Sequence, residues 1–141
     1  MRRLTYVGIG LVMIWVALAG CGGDDDDNND VNVAGTFRGT IQDSLAGTGT
    51  ITVTLVQDGN DLRGTYQTTF ADPRNNGAGS VDGEIHGNGV TLTASPSVRS
   101  FVPTACPFNV TAFVNGAQIS GTYAAFNCTV AVSGSLTLTR Q

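Results

Sequence analysis

Apolar and polar residues alternate with a period of two along most of the chain after residue 34. Residues 51–55 read Ile-Thr-Val-Thr-Leu, and similar runs begin at Val90 and Leu136. Alternate side chains of a β-strand point to opposite faces, so this period predicts strands with one apolar face and one water-facing face. Threonine suits the water-facing positions because it is β-branched and tolerates water. No segment after Cys21 has a helical period of useful length, so the pattern predicts an all-β domain.

Turn signals rich in glycine and asparagine divide this region into eight strands. The turn candidates are Asp58–Asn60, Asn75–Gly77, Gly87–Gly89 and Asn115–Gly116. The predicted strands cover residues 34–42, 48–57, 61–70, 79–86, 89–95, 106–114, 117–126 and 131–140. Most connections are short, which favours antiparallel neighbours in a meander. The exception is the loop 96–105, which holds two prolines and is either a lid or a simple crossing.

A glycine between two apolar residues, each two positions away, recurs five times. These glycines are Gly39, Gly64, Gly83, Gly121 and Gly134. Positions i, i+2 and i+4 of a strand share a face, so each glycine is expected on the apolar face. Glycine weakens a strand, but it relieves crowding on the inner face of a strongly bent one. The pattern favours a small eight-stranded antiparallel up-and-down barrel over the alternative, a β-sandwich, and closure also removes sheet edges.

The first twenty residues differ from the rest of the chain. Two arginines precede a run of seventeen uncharged, mostly apolar residues, Leu4–Gly20, which is typical of a secretory signal peptide. The run ends in Leu-Ala-Gly-Cys at 18–21 and resembles the lipobox of bacterial lipoproteins. The resemblance implies that residues 1–20 are a signal peptide that is removed. It also implies that Cys21 becomes the first residue and carries diacylglycerol and a further fatty acyl chain such as palmitate, which together make a lasting anchor.

Residues 21–33 form a second segment, the tether, between the lipid-modified cysteine and the barrel domain, residues 34–141. Residues 22–32 read GGDDDDNNDVN, so we expect the tether to be disordered and extended by self-repulsion. The acidic spacing does not match a calcium loop, so no metal site is expected. Gly22 resembles the residue that follows the cysteine in outer-membrane lipoproteins. We therefore expect a lipid-anchored protein of the cell envelope, in the outer membrane if the host is Gram-negative.

Charge and motif content argue against several function classes. The chain holds 11 acidic residues, seven arginines and no lysine, and its net charge is −4. A basic groove for nucleic acid is therefore not expected. His86 is the only histidine, which leaves too few ligands for a zinc site and one base for a catalytic triad. No phosphate loop, dinucleotide fingerprint or nucleophile elbow is present in the sequence, so we predict no catalytic residues, no cofactor and no enzyme activity.

Two cysteines other than Cys21 remain, Cys106 and Cys128. An exported protein can form a disulfide between them. A two-residue turn at Asn115-Gly116 would place Cys106 opposite Ala125, three residues before Cys128. We predict the disulfide, formed through a bulge or a wider loop, with a stabilisation of roughly 3 kcal/mol.

The two ends of the barrel domain carry a second resemblance. Gly35-Thr36-Phe37 and Arg140 resemble the signature of lipocalins and their relatives, which begin strand one with Gly-x-Trp and place an arginine near the end of the last strand. The resemblance implies a lipocalin-like barrel in which strand one closes beside strand eight, with the Arg140 guanidinium over the Phe37 ring. Phenylalanine replaces tryptophan here, and the chain is shorter than a typical lipocalin.

Two functions are open for such a barrel. The first is binding of a small apolar ligand in a central pocket, with the loop 96–105 at its mouth. The predicted pocket residues are Phe37, Tyr66, Phe70, Ile85, Phe108 and Tyr123. The second is a structural or interaction module of the envelope, in which the same residues fill a solid core. The membrane is the expected partner through the lipid anchor, and nucleic acid is not.

The lipid anchor predicts where a cysteine variant will be found. Cys21→Ser removes the only thiol at the expected cleavage site, so the protein should move from the membrane fraction to the soluble fraction of the cell. Mass spectrometry of the unaltered product should find Cys21 as the first residue, with the added mass of the acyl chains. Cys128→Ser leaves the lipobox intact and should stay in the membrane fraction, whereas an unaltered product that keeps Met1 would contradict the anchor.

Overall fold

The computed structural model describes residues 31–98 and 106–141. The eight predicted strands are confirmed within these ranges. They are β1 (Gly35–Asp43), β2 (Gly47–Asp58), β3 (Asp61–Phe70), β4 (Gly77–His86), β5 (Gly89–Val98), β6 (Phe108–Asn115), β7 (Gln118–Ala125) and β8 (Ser133–Arg140), with a short 3₁₀ helix at Pro73–Asn75. The expected signal peptide, Cys21 and most of the tether lie outside the described residues. Within the described ranges, no helix has the length and apolar character needed to cross a membrane.

The strands form a closed up-and-down barrel. Each strand pairs antiparallel with the next, and β8 pairs back with β1 from Phe37↔Arg140 to Asp43↔Gly134. This confirms the predicted all-β barrel, and the β-sandwich alternative is wrong because a single sheet closes on itself. Every described strand has a paired neighbour on both sides, so the barrel presents no full-length sheet edge.

Alternate residues of each strand point into the barrel and form its core. In β2, Ile51, Val53 and Leu55 are buried, whereas the threonines between them face outward. The period of two that predicted the strands therefore also separates inner from outer residues.

The five recurring glycines face inward where neighbouring backbones approach most closely. A Cβ atom on Gly64 would overlap the carbonyl oxygen of Thr54, and one on Gly39 would overlap that of Thr137. The remaining three, Gly83, Gly121 and Gly134, meet the carbonyl oxygens of Thr91, Thr111 and Gln42 in the same way. Any larger residue would push adjacent strands apart, so glycine permits the tight bending that closure requires.

Glycine also begins three two-residue hairpin turns. Gly59, Gly87 and Gly116 have φ angles of 60°, 62° and 60°, in the region that favours glycine at the first position of such a loop. In the β6–β7 hairpin the loop is Gly116-Ala117, and Asn115 pairs with Gln118. The predicted turn at Asn115-Gly116 is therefore wrong by one residue, because glycine takes the first loop position and not the second.

Strand β5 is longer than predicted and takes in Pro96, which was expected in the loop 96–105. Pro96 pairs with Gly79 next to a register shift in β4. The pairing of β5 with β6 ends at Ala94, so Pro96 has a strand neighbour on one side only, a position where proline is tolerated. Residues 99–105 of the predicted loop lie outside the described residues.

One end of the barrel is closed by the chain that leads into β1. The Val31 N–H donates to the Gly87 carbonyl (3.1 Å), and the Val33 N–H donates to Oε1 of Gln57 (2.8 Å). The segment thus crosses the end of the barrel that carries the two-residue turns. We call the four buried side chains there the floor: Val33, Phe37, Leu62 and Ile85, each at most 1% exposed. Val33 belongs to the segment predicted as tether, so packing begins at least one residue before the expected domain boundary.

Arg140, in β8, links the elements that form the floor. Its guanidinium carbon lies 4.8 Å from the centroid of the Phe37 ring, as the resemblance to lipocalins implied. The same group donates to the carbonyl oxygens of Ala34 (2.5 Å) and Asn32 (2.8 Å). It therefore joins β8, the core and the segment before β1 at the point where the barrel closes.

The close approach of Gly64 to the backbone of β2 predicts that one added methyl group at this position strongly lowers the stability of the barrel. Gly64→Ala should lower the free energy of unfolding by about 2–4 kcal/mol, because the added carbon overlaps a neighbouring backbone that can move only by disturbing the barrel. Urea unfolding followed by far-ultraviolet circular dichroism measures it. The matched variant Gly89→Ala meets only ordinary contacts and should stay within about 0.5 kcal/mol of the parent; equal losses in both would contradict the steric argument.

Candidate functional site

A cavity of about 160 Å³ lies inside the barrel above the floor. Its base is formed by Leu55, Val90, Ile119 and Leu138, and its walls by inward side chains of β2 to β8. It reaches the end of the barrel that carries the longer connections, where Asp43, Leu45, Ala46, Asn75, Pro96 and Val132 lie around its mouth. The lining is mainly aliphatic and aromatic, so the cavity suits an apolar guest.

Four of the six predicted pocket residues line this cavity. They are Tyr66, Phe70, Phe108 and Tyr123. Phe37 and Ile85 do not line it, because they lie in the floor and are 1% and 0% exposed. All six point inward, as their positions in the strands require, but at different heights along the barrel.

Small side chains of β5 and β6 make room in the wall, and the sequence-based set did not include them. Ala94 and Ala112 are buried and line the cavity beside Leu92 and Val110. The alternation that places Val90 and Leu92 on the inner face extends to Ala94, so this signal was present in the sequence. Whether an alanine at these positions leaves open space depends on the side chains that face it across the barrel, and the alternation gives no information about those side chains.

Three cavity aromatics lie over glycines of the neighbouring strand. A Cβ atom on Gly49 would strike the Phe70 ring, one on Gly79 the Tyr66 ring, and one on Gly134 the Tyr123 ring. Each ring therefore occupies the space that a side chain on the adjacent strand would take. This arrangement holds the rings against the wall, and the centre of the barrel stays open.

A hydrogen bond between Asp43 and Tyr123 stabilises one side of the mouth. The Tyr123 hydroxyl donates to Oδ2 of Asp43 (2.5 Å), while Oδ1 of Asp43 accepts from the N–H groups of Leu45 (2.8 Å) and Ala46 (2.9 Å). Burial, and then the hydrogen bond and charge of Asp43, raise the pKa of Tyr123. The Tyr123 ring also packs edge-on against Phe108, with centroids 5.7 Å apart. The turn between β1 and β2 is thereby fastened to β7.

Tyr66 differs from Tyr123 in having no such partner. It faces inward from β3, lines the cavity and is half-buried. Burial raises its pKa from 10.0 to about 12. Among the described residues, no hydrogen-bond partner reaches its hydroxyl.

Cys106 and Cys128 lie at the mouth as a disulfide-bonded pair, with Cα atoms 5.8 Å apart, within the usual range for a disulfide. The observed register pairs Phe108 with Ala125, so Cys106 faces a position one residue before Cys128. The predicted gap of three residues was too wide because the turn was misplaced. The bond ties the start of β6 to the connection that leads into β8.

Polar groups elsewhere on the described barrel lie mostly outside the cavity. His86 faces solvent, with Nε2 2.9 Å from Oε2 of Glu84. In residues 31–98 and 106–141, no cluster of three or more histidine, cysteine or acidic side chains is placed to hold a metal ion.

The comparisons with known proteins show the fold and no family. No family model and no curated protein matches the chain. Among solved structures, the chain is similar to a redesigned β-barrel, with a TM-score of 0.58 and 15% sequence identity. The match covers 77% of this chain and 90% of that one. This likeness shows a β-barrel; the lipocalin-like interpretation continues to rest on the residues around Phe37 and on Arg140.

The two cavity tyrosines predict an unusual alkaline titration. All strands and the floor lie within residues 31–141, so a chain of residues 22–141, the lipid-free domain, keeps every described contact. It holds Tyr66 and Tyr123 and no other tyrosine or tryptophan. Both pKa values are raised, so the folded domain should show no tyrosinate absorbance near pH 10, where solvent-exposed tyrosines ionise, and Tyr66 should ionise near pH 12.

The same shifts predict a loss of stability at alkaline pH. The folded state keeps phenolic protons that the unfolded state releases near pH 10, so this stabilisation is complete below pH 10 and is lost as the pH rises towards 12. The domain unfolded in urea is the control and should ionise both tyrosines near pH 10. Ionisation of either tyrosine at that pH in the folded domain would contradict the buried positions.

Proposed function

We propose that the protein is a lipid-anchored envelope protein whose barrel binds one small apolar molecule in its cavity. The observation that carries the binding proposal is the apolar cavity of about 160 Å³. Protein interiors are normally close-packed, with few voids larger than a water molecule. A cavity of this size that reaches one end of a closed barrel is therefore space that a guest can use.

The volume limits the size of that guest. Apolar cavities of about 150 Å³ engineered into other proteins accept a single aromatic ring. The cavity here is similar and suits one ring or a short branched chain. The floor blocks passage at the other end, where Phe37, Leu62 and Ile85 are buried. A long fatty acyl chain would have to leave most of its length outside.

The location is proposed from Cys21 and its lipobox. Val31 and Val33 bring the chain to the floor of the barrel, and the mouth lies at the opposite end. A lipid on Cys21 would thus be attached on the floor side.

Titration of the lipid-free domain with toluene tests the binding proposal. Near-ultraviolet circular dichroism reports directly on the site, because the only two tyrosines of residues 22–141, Tyr66 and Tyr123, both line the cavity. We expect saturable binding at one site, with a dissociation constant on the order of 1 mM or tighter for so small a hydrocarbon.

A matched pair of variants separates cavity binding from surface binding. Ala94 is buried in the cavity wall, so Ala94→Phe should fill the cavity and abolish binding. Thr91 lies on the same strand and is exposed, so Thr91→Phe should bind as the parent does. Equal binding by both variants, or none by the folded parent, would overturn the proposal and favour the structural or interaction module.

A further inference from the structure

Most polar side chains that line the cavity are already committed to partners within the barrel. Asp43 accepts three hydrogen bonds, one of them from the Tyr123 hydroxyl. The Thr68 hydroxyl accepts from the Gly77 N–H (3.0 Å) and lies 3.4 Å from the Gly77 carbonyl oxygen. These hydrogen bonds stabilise the wall and the mouth. A ligand would have to break them in order to bond to the same groups.

The Tyr66 hydroxyl is the exception among these hydroxyl and carboxyl groups. Its ring is held over Gly79, and no described residue bonds to its oxygen. Burial raises its pKa to about 12, so it keeps its proton and presents an O–H donor at physiological pH. A ligand that covers this hydroxyl excludes water from it. If the ligand offers no acceptor, the donor stays unpaired in apolar surroundings, which weakens binding.

The charge around the cavity also restricts the ligand. No arginine or histidine is among the described residues that line it. A carboxylate or phosphate inside would lack a counter-charge in an apolar space, and this is costly. The carboxylate of Asp43 at the mouth opposes an anion further. Its oxygens are already occupied by three donors, so it offers little to a cation.

We propose that the cavity selects an uncharged, single-ring molecule with one hydrogen-bond acceptor, such as an aryl ketone or ether, whose oxygen accepts from the Tyr66 hydroxyl. This inference rests on the proposed function. It adds chemical selectivity to a cavity whose volume and apolar lining alone would accept any small hydrocarbon.

A pair of ligands of equal shape tests the selectivity. Acetophenone carries a carbonyl acceptor, and ethylbenzene has the same size without it. Binding of each to the lipid-free domain is measured by two-dimensional NMR titration of the backbone amides. Tyr66→Phe should weaken acetophenone binding about twofold to tenfold, while ethylbenzene binds equally or more tightly. Tyr123→Phe is the control and should leave the ratio of the two affinities unchanged, because that hydroxyl is committed to Asp43.

Each other outcome has a distinct meaning. If both ligands bind and Tyr66→Phe leaves their affinity ratio unchanged, the role of Tyr66 is overturned and the binding function stands. If benzoate binds as tightly as acetophenone, selection against charge is overturned. If neither neutral ligand binds the folded parent, the proposed function fails and this inference fails with it. Far-ultraviolet circular dichroism of each variant shows that it is folded.

Discussion

The backbone ladder between β1 and β8 is the constraint on which the rest of the structure depends. It turns an open sheet into a barrel, so inward side chains are confined within one small space. Closure demands bending, and bending brings adjacent backbones together at inward positions. Gly39 and Gly134 lie in this ladder and meet the backbone of the opposite strand. Arg140 then fastens its lower end over Phe37, so the glycines and the arginine serve the same closure.

The two ends of the barrel differ because their connections differ. Two-residue turns and the segment before β1 meet at one end, where large side chains pack into the floor. At the other end the connections are longer, and the Cys106–Cys128 bond and the Asp43–Tyr123 hydrogen bond hold them. Aromatic rings lie over glycines along the wall. Among the described residues, the barrel is therefore closely packed at the floor, and its cavity lies between the floor and the opposite end.

Fold and function rest on separate observations here. The similarity to a redesigned barrel at 15% identity concerns backbone architecture, and one architecture can hold many activities or none. The binding proposal depends on the volume and lining of the cavity, and the selectivity on one unpaired hydroxyl. The proposed location depends on the lipid expected on Cys21. The binding proposal and the anchor proposal are independent of each other. The barrel could bind a ligand without an anchor, or be anchored with nothing bound.

The sequence by itself determined the strands, their inward faces and the closure, because a period of two and glycines between apolar neighbours are local signals of a bent sheet. The resemblance of Gly35-Thr36-Phe37 and Arg140 to the lipocalin signature also implied that Arg140 lies over the Phe37 ring, as it does. The sequence could not tell that Tyr66 and Phe70 line a cavity while Phe37 and Ile85 lie in a floor. It predicted the disulfide between Cys106 and Cys128, which the structure confirms, but it misplaced the β6–β7 turn by one residue and therefore the register that brings the two cysteines together. The tertiary structure decided these features. Alternation along a strand specifies the face on which a side chain lies, but it does not specify how far along the barrel axis the side chain lies. That position follows from the register of the strands, which the pairing around the whole barrel sets.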